Sequence, residues 1–338
     1  MNKRDFLKSS GMAAGALSLP ALGAPLRAQQ SSGAPYEIVM GGYGPESTGF
    51  SAALRMMGAH LESRFGTDVN IRYVYNVMDL GYQMGDILWL VENGLLTMGY
   101  ASSSYMTEQV TELNIADLPF LFTTAKQARS AMDGSLGRML SAATESKMNY
   151  RVLGYFENGF RHVSSRLRPI NSLEDMKDLH IRVLPSQILF DAFTLLGANP
   201  EIMDLSEALR RVQNNLIDAQ ENPLANAVAY NIHKFHKYHT ITNHAYLSRP
   251  IFFHKQTFDS WPPELQSEMQ IAITSAVAFQ RGLHDEEEEE AANIIQAEGG
   301  EIITLTDSEI DRFRSAIRPL YVQASELHGP ELLAAAGI

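Results

Sequence analysis

The chain has no cysteine among its 338 residues, which excludes disulfides, thiol nucleophiles and thiolate metal sites while fitting any compartment. It also lacks an excess of positive charge. The formal charge is −12, whereas a nucleic-acid partner demands a basic face for its phosphates. An anionic ligand would have to be drawn in by local arginines against that overall field. Long apolar runs are missing as well: Gly11–Leu22 is too short and too rich in Ala and Gly to span a bilayer. Nor is there a hydrolase elbow, since Ser102-Ser103-Ser104 does not follow Gly-x-Ser-x-Gly.

What is there describes a soluble globular protein, 45% hydrophobic and 20% charged. Its length suits two domains of about 100–200 residues each. Residues 1–28 read as a cleaved export signal: a basic start, Asn2-Lys3-Arg4-Asp5-Phe6-Leu7-Lys8, the modest apolar run, and a small-residue cleavage site at Leu26-Arg27-Ala28 before Gln29. The order Lys-Arg-Asp-Phe-Leu-Lys resembles the twin-arginine export signal with lysine in the first position. Lys3, Arg4, Lys8 and Arg27 leave with it against one acid, Asp5, which takes the formal charge from −12 to −15. Delivery to the periplasm is expected.

The rest alternates between strand and helix patterns. Tyr36–Gly41 reads as a first strand, Ser47–Phe65 carries Phe50, Leu54, Met57, Leu61 and Phe65 at helical spacing, and strands are expected at Val69–Tyr75 and Leu95–Tyr100 around a helix through Gly85–Asn93. Helices over Ala125–Lys147 precede a strand at Tyr150–Tyr155. A second βα series follows, with strands near His162–Ser165, His180–Val183 and Glu201–Met203 and helices after Asn171, at Gln187–Leu196 and at Ser206–Asn214. This order predicts an α/β fold with a mostly parallel sheet. Pro262 to about Gln296 reads as one unusually long helix, stopped at Gly299-Gly300 and placed to brace both lobes. Its acidic block Asp285–Glu290 reads as a solvated helix face without metal-ligand spacing.

Two arginines stand out. Arg182 lies inside the apolar strand pattern Leu179-His180-Ile181-Arg182-Val183-Leu184, which stops at Pro185, and Arg161 follows Asn158-Gly159-Phe160. A guanidinium at a strand end offers a rigid fork that matches a carboxylate. The pattern points to binding an organic acid, against a structural ion pair of Arg182 with Asp175 or Glu221 and a turn-holding role for Arg161 as a loop residue.

In their order along the chain, Asp117-Leu118-Pro119-Phe120, Asn158-Gly159-Phe160-Arg161, Ser172-Leu173-Glu174-Asp175-Met176-Lys177, Ile181-Arg182-Val183, Leu196-Gly197-Ala198, Ile217-Asp218-Ala219-Gln220-Glu221-Asn222-Pro223-Leu224 and Trp261-Pro262-Pro263-Glu264-Leu265-Gln266 resemble the solute-binding subunits of tripartite ATP-independent periplasmic (TRAP) transporters, the DctP family. The resemblance runs from about Tyr36 to about Ala324. It implies a two-lobed periplasmic-binding-protein fold, type II-like, with a long lobe-spanning helix. Lobe I would take 35–157 plus about 246–285, and lobe II 158–245 plus about 286–338. It further implies a non-enzymatic, monomeric receptor that closes over an organic acid and hands it to an ion-coupled membrane permease, without cofactor, metal or nucleic acid. A sensor subunit that presents the ligand to a membrane kinase would share the same site, and an exported hydrolase is the third class.

By the same resemblance Arg182 grips the ligand carboxylate, Arg161 aims at the same ligand, and Asn222 closes from the opposite side on a turn fixed by Pro223, against a role as a helix cap. Tyr43, Ser102 and Tyr105 are expected to face the cleft from the first lobe, with Leu205 where relatives commonly present an aromatic ring and Arg249 near the hinge to meet a second carboxylate or a hydroxyl. Phe160 joins Tyr43 and Tyr105 as a possible aromatic wall. The sialate-binding branch has an acid and an arginine at the positions of Ser102 and Tyr105, so sialic acid is not expected. A C4 dicarboxylate, a keto or hydroxy acid, a sugar acid and an aromatic acid stay open. His233, His236, His239 and His244 invite a metal reading, but Lys234 and Lys237 between them oppose a cation.

Overall fold

A computed structural model describes residues 34–338; the expected export signal, 1–28, lies outside them. The strands are β1 (Tyr36–Gly41), β2 (Val69–Val74), β3 (Met98–Tyr100), β4 (Tyr150–Ser165), β5 (His180–Val183), β6 (Asn199–Ile202), β7 (Ala219–Asn222), β8 (Tyr238–His254) and β9 (Glu301–Thr304). The helices before β5 are α1 (Gly49–Phe65), α2 (Asp86–Glu92), α3 (Ala125–Asp133) and α4 (Ser135–Lys147). Those after it are α5 (Gln187–Leu195), α6 (Leu205–Gln213), α7 (Leu224–Ala229), α8 (Lys255–Asp259), α9 (Pro263–Ala297), α10 (Asp307–Ala316), α11 (Arg318–Leu327) and α12 (Pro330–Ala336). Among the described residues no helix is long and apolar enough to cross a membrane.

All nine strands join one sheet in the order β2-β1-β3-β8-β4-β7-β5-β6, with β9 beside β8. β1 runs parallel to β2 and β3, and β5 parallel to β6 and β7, so each flank is a small parallel βα sheet. β4 and β8 run antiparallel to each other, β4 antiparallel to β7 and β8 antiparallel to β3, whereas β9 runs parallel to β8. They are the longest strands, 16 and 17 residues, and cross the whole middle of the sheet. The first part of β4 faces the β3 flank and its last part the β7 flank. The expectation of two strands, at Tyr150–Tyr155 and near His162–Ser165, is therefore corrected to one. Gly154 and Asn158-Gly159 look like breaks in sequence, but the chain passes them by shifting register at bulges.

The long helix forms as expected. α9 spans 35 residues, about 50 Å at the α-helical rise. Leu265, Met269, Ile273, Ala276 and Val277 are its buried stripe, and it packs on α1, on β4 and, farther along, on α7. The chain end is shared between the flanks: α11 packs on α5, whereas α12 reaches back to α4.

Candidate functional site

Parallel βα units open their carboxyl-terminal strand ends toward loops that bind ligands. Here two such sets face each other across the crossing strands. Tyr43 follows β1, Ser102 follows β3, Arg182 is the third residue of β5, and Asn222 ends β7. Together with Met84, Tyr105, Asn158, Arg161, Leu184, Leu205, Asn226, Tyr230 and Arg249 they enclose one cavity of about 20 Å³. That is room for little more than a water molecule, so the arrangement is a closed one.

Eight of the nine residues expected from the sequence are brought together there. The ninth is not. Phe160 packs edge-on against Tyr246, with ring centroids 5.2 Å apart, outside the cavity. The bulge at Glu157/Gly159 explains why: it leaves Asn158 as the extra residue in β4 and resets the alternation, so Asn158 and Arg161 reach the cavity and Phe160 does not. Gly159 makes the bulge possible, with φ at +85°.

Arg182 is 1% exposed. Its Nε donates to the Met203 carbonyl at 3.0 Å, and its remaining contact is a long 3.5 Å approach to the Tyr105 hydroxyl. Tyr105 in turn accepts from the Leu205 backbone N–H at 3.0 Å, which ties the two cavity walls together. Burial pushes the Tyr105 phenol well above its ordinary pKa even with the Arg182 charge pulling it down, so it stays a neutral phenol.

Arg249 is 3% exposed and lies in an aromatic frame, its guanidinium carbon 4.0 Å from the Phe50 ring centroid and 4.6 Å from that of Tyr43. One nitrogen donates to Asn158 Oδ1 at 2.6 Å, while its Nε is buried without a partner. Asn158 Oδ1 also accepts from Asn226 Nδ2 at 3.0 Å, and Asn226 donates to Asn222 Oδ1 at 3.3 Å. A chain of amides thus links Arg249 to Asn222. Asn222 does not cap α7; its amide donates to Gln220, and Pro223 holds the N-cap position of the helix.

The expected ion-pair alternative falls to the other arginine. Arg161 is a strand residue, not a loop one, and it grips Glu221 through Nε to Oε2 and a terminal nitrogen to Oε1 at 2.9 Å and to the Glu221 carbonyl. Burial alone would raise the Glu221 carboxyl. Arg161 and His244 beside it outweigh that and hold it down at about 2. His244 Nε2 lies 3.4 Å from Glu221 Oε2, and its Nδ1 meets Thr242 at 2.7 Å. Among the described residues, neither Arg182 nor Arg249 has an acidic partner. The cavity therefore contains two guanidiniums without carboxylates and a third already neutralised.

Behind this layer Asp117 is fully buried, and burial pushes its carboxyl up to about 7 although Ser186 and Ser104 oppose the rise. The histidines that invited a metal reading in the sequence each have their own partner. His236 pairs with Ser164 at 2.9 Å, His239 with the His236 carbonyl at 3.0 Å, and His233 Nδ1 with the Ala227 carbonyl at 3.2 Å. Burial lowers His236 to about 3 and His239 to about 4. No group of metal-ligating side chains gathers among the described residues.

Asn158, Asn226, Tyr230, Met84 and Leu184 line the cavity without having been foreseen as site residues. Asn226 and Tyr230 share α7 and its end, four and eight residues after Asn222, so the helical repeat that follows the Asn-Pro turn was the signal for them. The acidic block is also corrected. Asp285, Glu286, Glu289 and Glu290 are exposed as a solvated face would be, but Glu287 and Glu288 are half-buried and accept backbone N–H groups of α1 and α7.

The 2,3-diketo-L-gulonate-binding periplasmic protein YiaO of Escherichia coli K12 is 30% identical over 235 residues, 69% of this chain and 71% of that protein. The C4-dicarboxylate-binding periplasmic protein DctP of Rhodobacter capsulatus is 27% identical over 67% of this chain and 68% of its own length. Among solved structures, the sugar acid binding protein DctPAm of Advenella mimigardefordensis, in complex with galactonate, superposes with a TM-score of 0.85 at 23% identity, covering 90% of this chain and 98% of that one. A TRAP periplasmic solute-binding protein of Sulfurospirillum deleyianum with bound succinate gives 0.84 at 24%, covering 90% and 99%. These neighbours have the two-lobed fold expected from the sequence. Residues 40–327 match the family description of the bacterial extracellular solute-binding proteins, family 7, a family of binding proteins rather than enzymes. The chain belongs to that DctP family.

Proposed function

We propose that the protein is a periplasmic receptor that closes over a small organic acid and delivers it to the membrane permease of a TRAP transporter. The observation that carries this is Arg182: a buried guanidinium with a free fork and no acidic partner demands a carboxylate, and the cavity around it is the meeting point of both sheet flanks. Arg249 faces the same space, placed for a second carboxylate or a hydroxyl, and Asn222, Tyr43, Ser102, Tyr105 and Leu205 complete the wall. Arg161 acts one step back, holding Glu221 and with it the strand that ends in Asn222. Relatives named for 2,3-diketo-L-gulonate and C4-dicarboxylates support the acid class.

Closure is the mechanism. A cavity of about 20 Å³ cannot admit even a four-carbon acid, so the lobes must part for entry. We assign lobe I to 35–157 plus about 246–285 and lobe II to 158–245 plus about 286–338, moving about the middle of β4 and β8, in a monomer. In the open state both guanidiniums are hydrated. Closing strips water from the carboxylate, and charge-assisted hydrogen bonds to a pre-oriented fork offset that cost.

A thermal-shift screen of residues 29–338 against C4 dicarboxylates, keto acids, sugar acids and aromatic acids tests the reading. A ligand at about 100 times its dissociation constant adds about 2.7 kcal/mol to stability. A rise confined to one class names the substrate; no rise with any acid overturns the role of Arg182.

A further inference from the structure

The acidic block holds two neighbours with different tasks. Glu287 Oε1 accepts the backbone N–H of Gly49, the first residue of α1, at 2.6 Å. Glu288 accepts from Leu224 N at 3.1 Å and Ala225 N at 2.9 Å, where α7 begins. Gly49 is needed for this approach, since a methyl built there would lie 2.9 Å from the Glu287 oxygen. One turn of α9 therefore holds a segment from each side of the cavity. Phe50, next to Gly49, is the ring beneath Arg249; Asn222 lies two residues before Leu224. Between the two contacts is a second cavity of about 310 Å³, which shares Asn158 and Asn226 with the first.

We infer that Glu287 and Glu288 form a two-handed clasp that positions the α1 and α7 sides of the binding cavity against each other in the closed state. They are positioning residues, acting on the ligand only through Phe50–Arg249 and Leu224–Asn222. The inference rests on two-lobed closure and not on which acid is bound.

The clasp has a pH signature. Burial pushes the Glu288 carboxyl up to about 7, against the pull of its two N–H donors, with Glu287 and Asp285 adding to the rise. Glu287 is raised by burial and by Glu290, while its bond to Gly49 and the Arg249 charge oppose the rise. His284 lines the same cavity, and α1 and α7 offer these carboxyls backbone groups rather than charged side chains. Released from Leu224 and Ala225, Glu288 returns to water and to an ordinary carboxyl pKa. The clasped state is thus the one that binds the proton more tightly, and it gains as pH falls through about 7.

Hydrogen–deuterium exchange on residues 29–338, without ligand, tests this through peptides covering 45–53 and 222–228. In the wild type both are protected, and either Glu287→Ala or Glu288→Ala, which removes the acceptor, speeds exchange of both segments at least tenfold while the β1 peptide is unchanged. Corrected for intrinsic rates, protection of 222–228 rises about tenfold from pH 8 to pH 6 and is flat in Glu288→Gln. Glu288→Asp, which keeps the charge but shortens the reach, releases both segments too. If each substitution frees only its own helix start, the two are independent caps and the clasp is wrong. Unprotected wild-type segments, or a flat wild-type pH profile, overturn it equally. Since no ligand is used, failure here leaves the screen of organic acids standing as a separate question.

Discussion

Gly159 of β4 and His284 of α9 are packed so closely that a methyl group built on the glycine would lie 2.2 Å from the imidazole Nε2. Gly159→Ala therefore meets two penalties, a left-handed backbone that alanine resists and a clash with a buried ring. A loss of about 2–4 kcal/mol is expected by urea denaturation. His284→Ala in the same chain should recover the steric share and leave the backbone share.

The Arg182 fork gives a sharper test of binding than charge alone. Arg182→Lys keeps the charge but cannot reproduce two parallel donors, so it should weaken binding of the acid found by thermal shift about tenfold to 150-fold, the range of about 1.5–3 kcal/mol for a charged hydrogen bond. Titration calorimetry would read this. A lysine variant within about threefold of wild type would remove the bidentate argument.

Glu221→Gln leaves Arg161 buried without its counter-charge, and the expected cost is about 3–5 kcal/mol in chemical unfolding at pH 7. Adding Arg161→Met should return part of it, because an apolar group in that place has no charge to desolvate. The pair also sets an acid limit. Glu221 sits at about 2 when folded, so its contribution is complete above an unfolded carboxyl's pKa and is lost as pH falls from there through about 2.

Asp117 works in the opposite direction. Its folded pKa is raised to about 7, so its favourable, protonated state is fully present below the unfolded carboxyl value and is lost as pH rises through 7. Asp117→Asn, neutral at every pH, should be close to wild type at pH 4 and gain on it steadily toward pH 8. Melting temperatures of the two proteins across that range would show the divergence; parallel curves would contradict it.

Much of this site was legible because its residues violate local pattern. Arg182 inside an apolar strand and Asn222-Pro223 at a strand end announce themselves, and β5 and β7 deliver them to one cavity. Phe160 was misplaced because a bulge two residues earlier breaks the alternation by which strand faces are read, and no residue type in Glu157-Asn158-Gly159 states which side chain will be displaced. The acidic block misled for another reason. Six consecutive acids look solvated, and only the approach of two helix starts, more than 60 and 230 residues away in sequence, turns Glu287 and Glu288 inward. The ion pair with Glu221, weighed in the sequence as the alternative for Arg182, belongs to Arg161 instead, and Arg182 has no acidic partner among the described residues.

The crossing of β4 and β8 through the whole sheet also governs how this chain can be cut and joined. The β1–β3 flank borrows the start of β4 and the end of β8, and the β5–β7 flank takes the remainder of both. Neither flank is a continuous stretch of chain. A fragment ending anywhere between β4 and β8 strips an edge from both sides at once, so the two flanks must complete their folding together, and proteolysis in that interval should yield unfolded pieces instead of an isolated lobe.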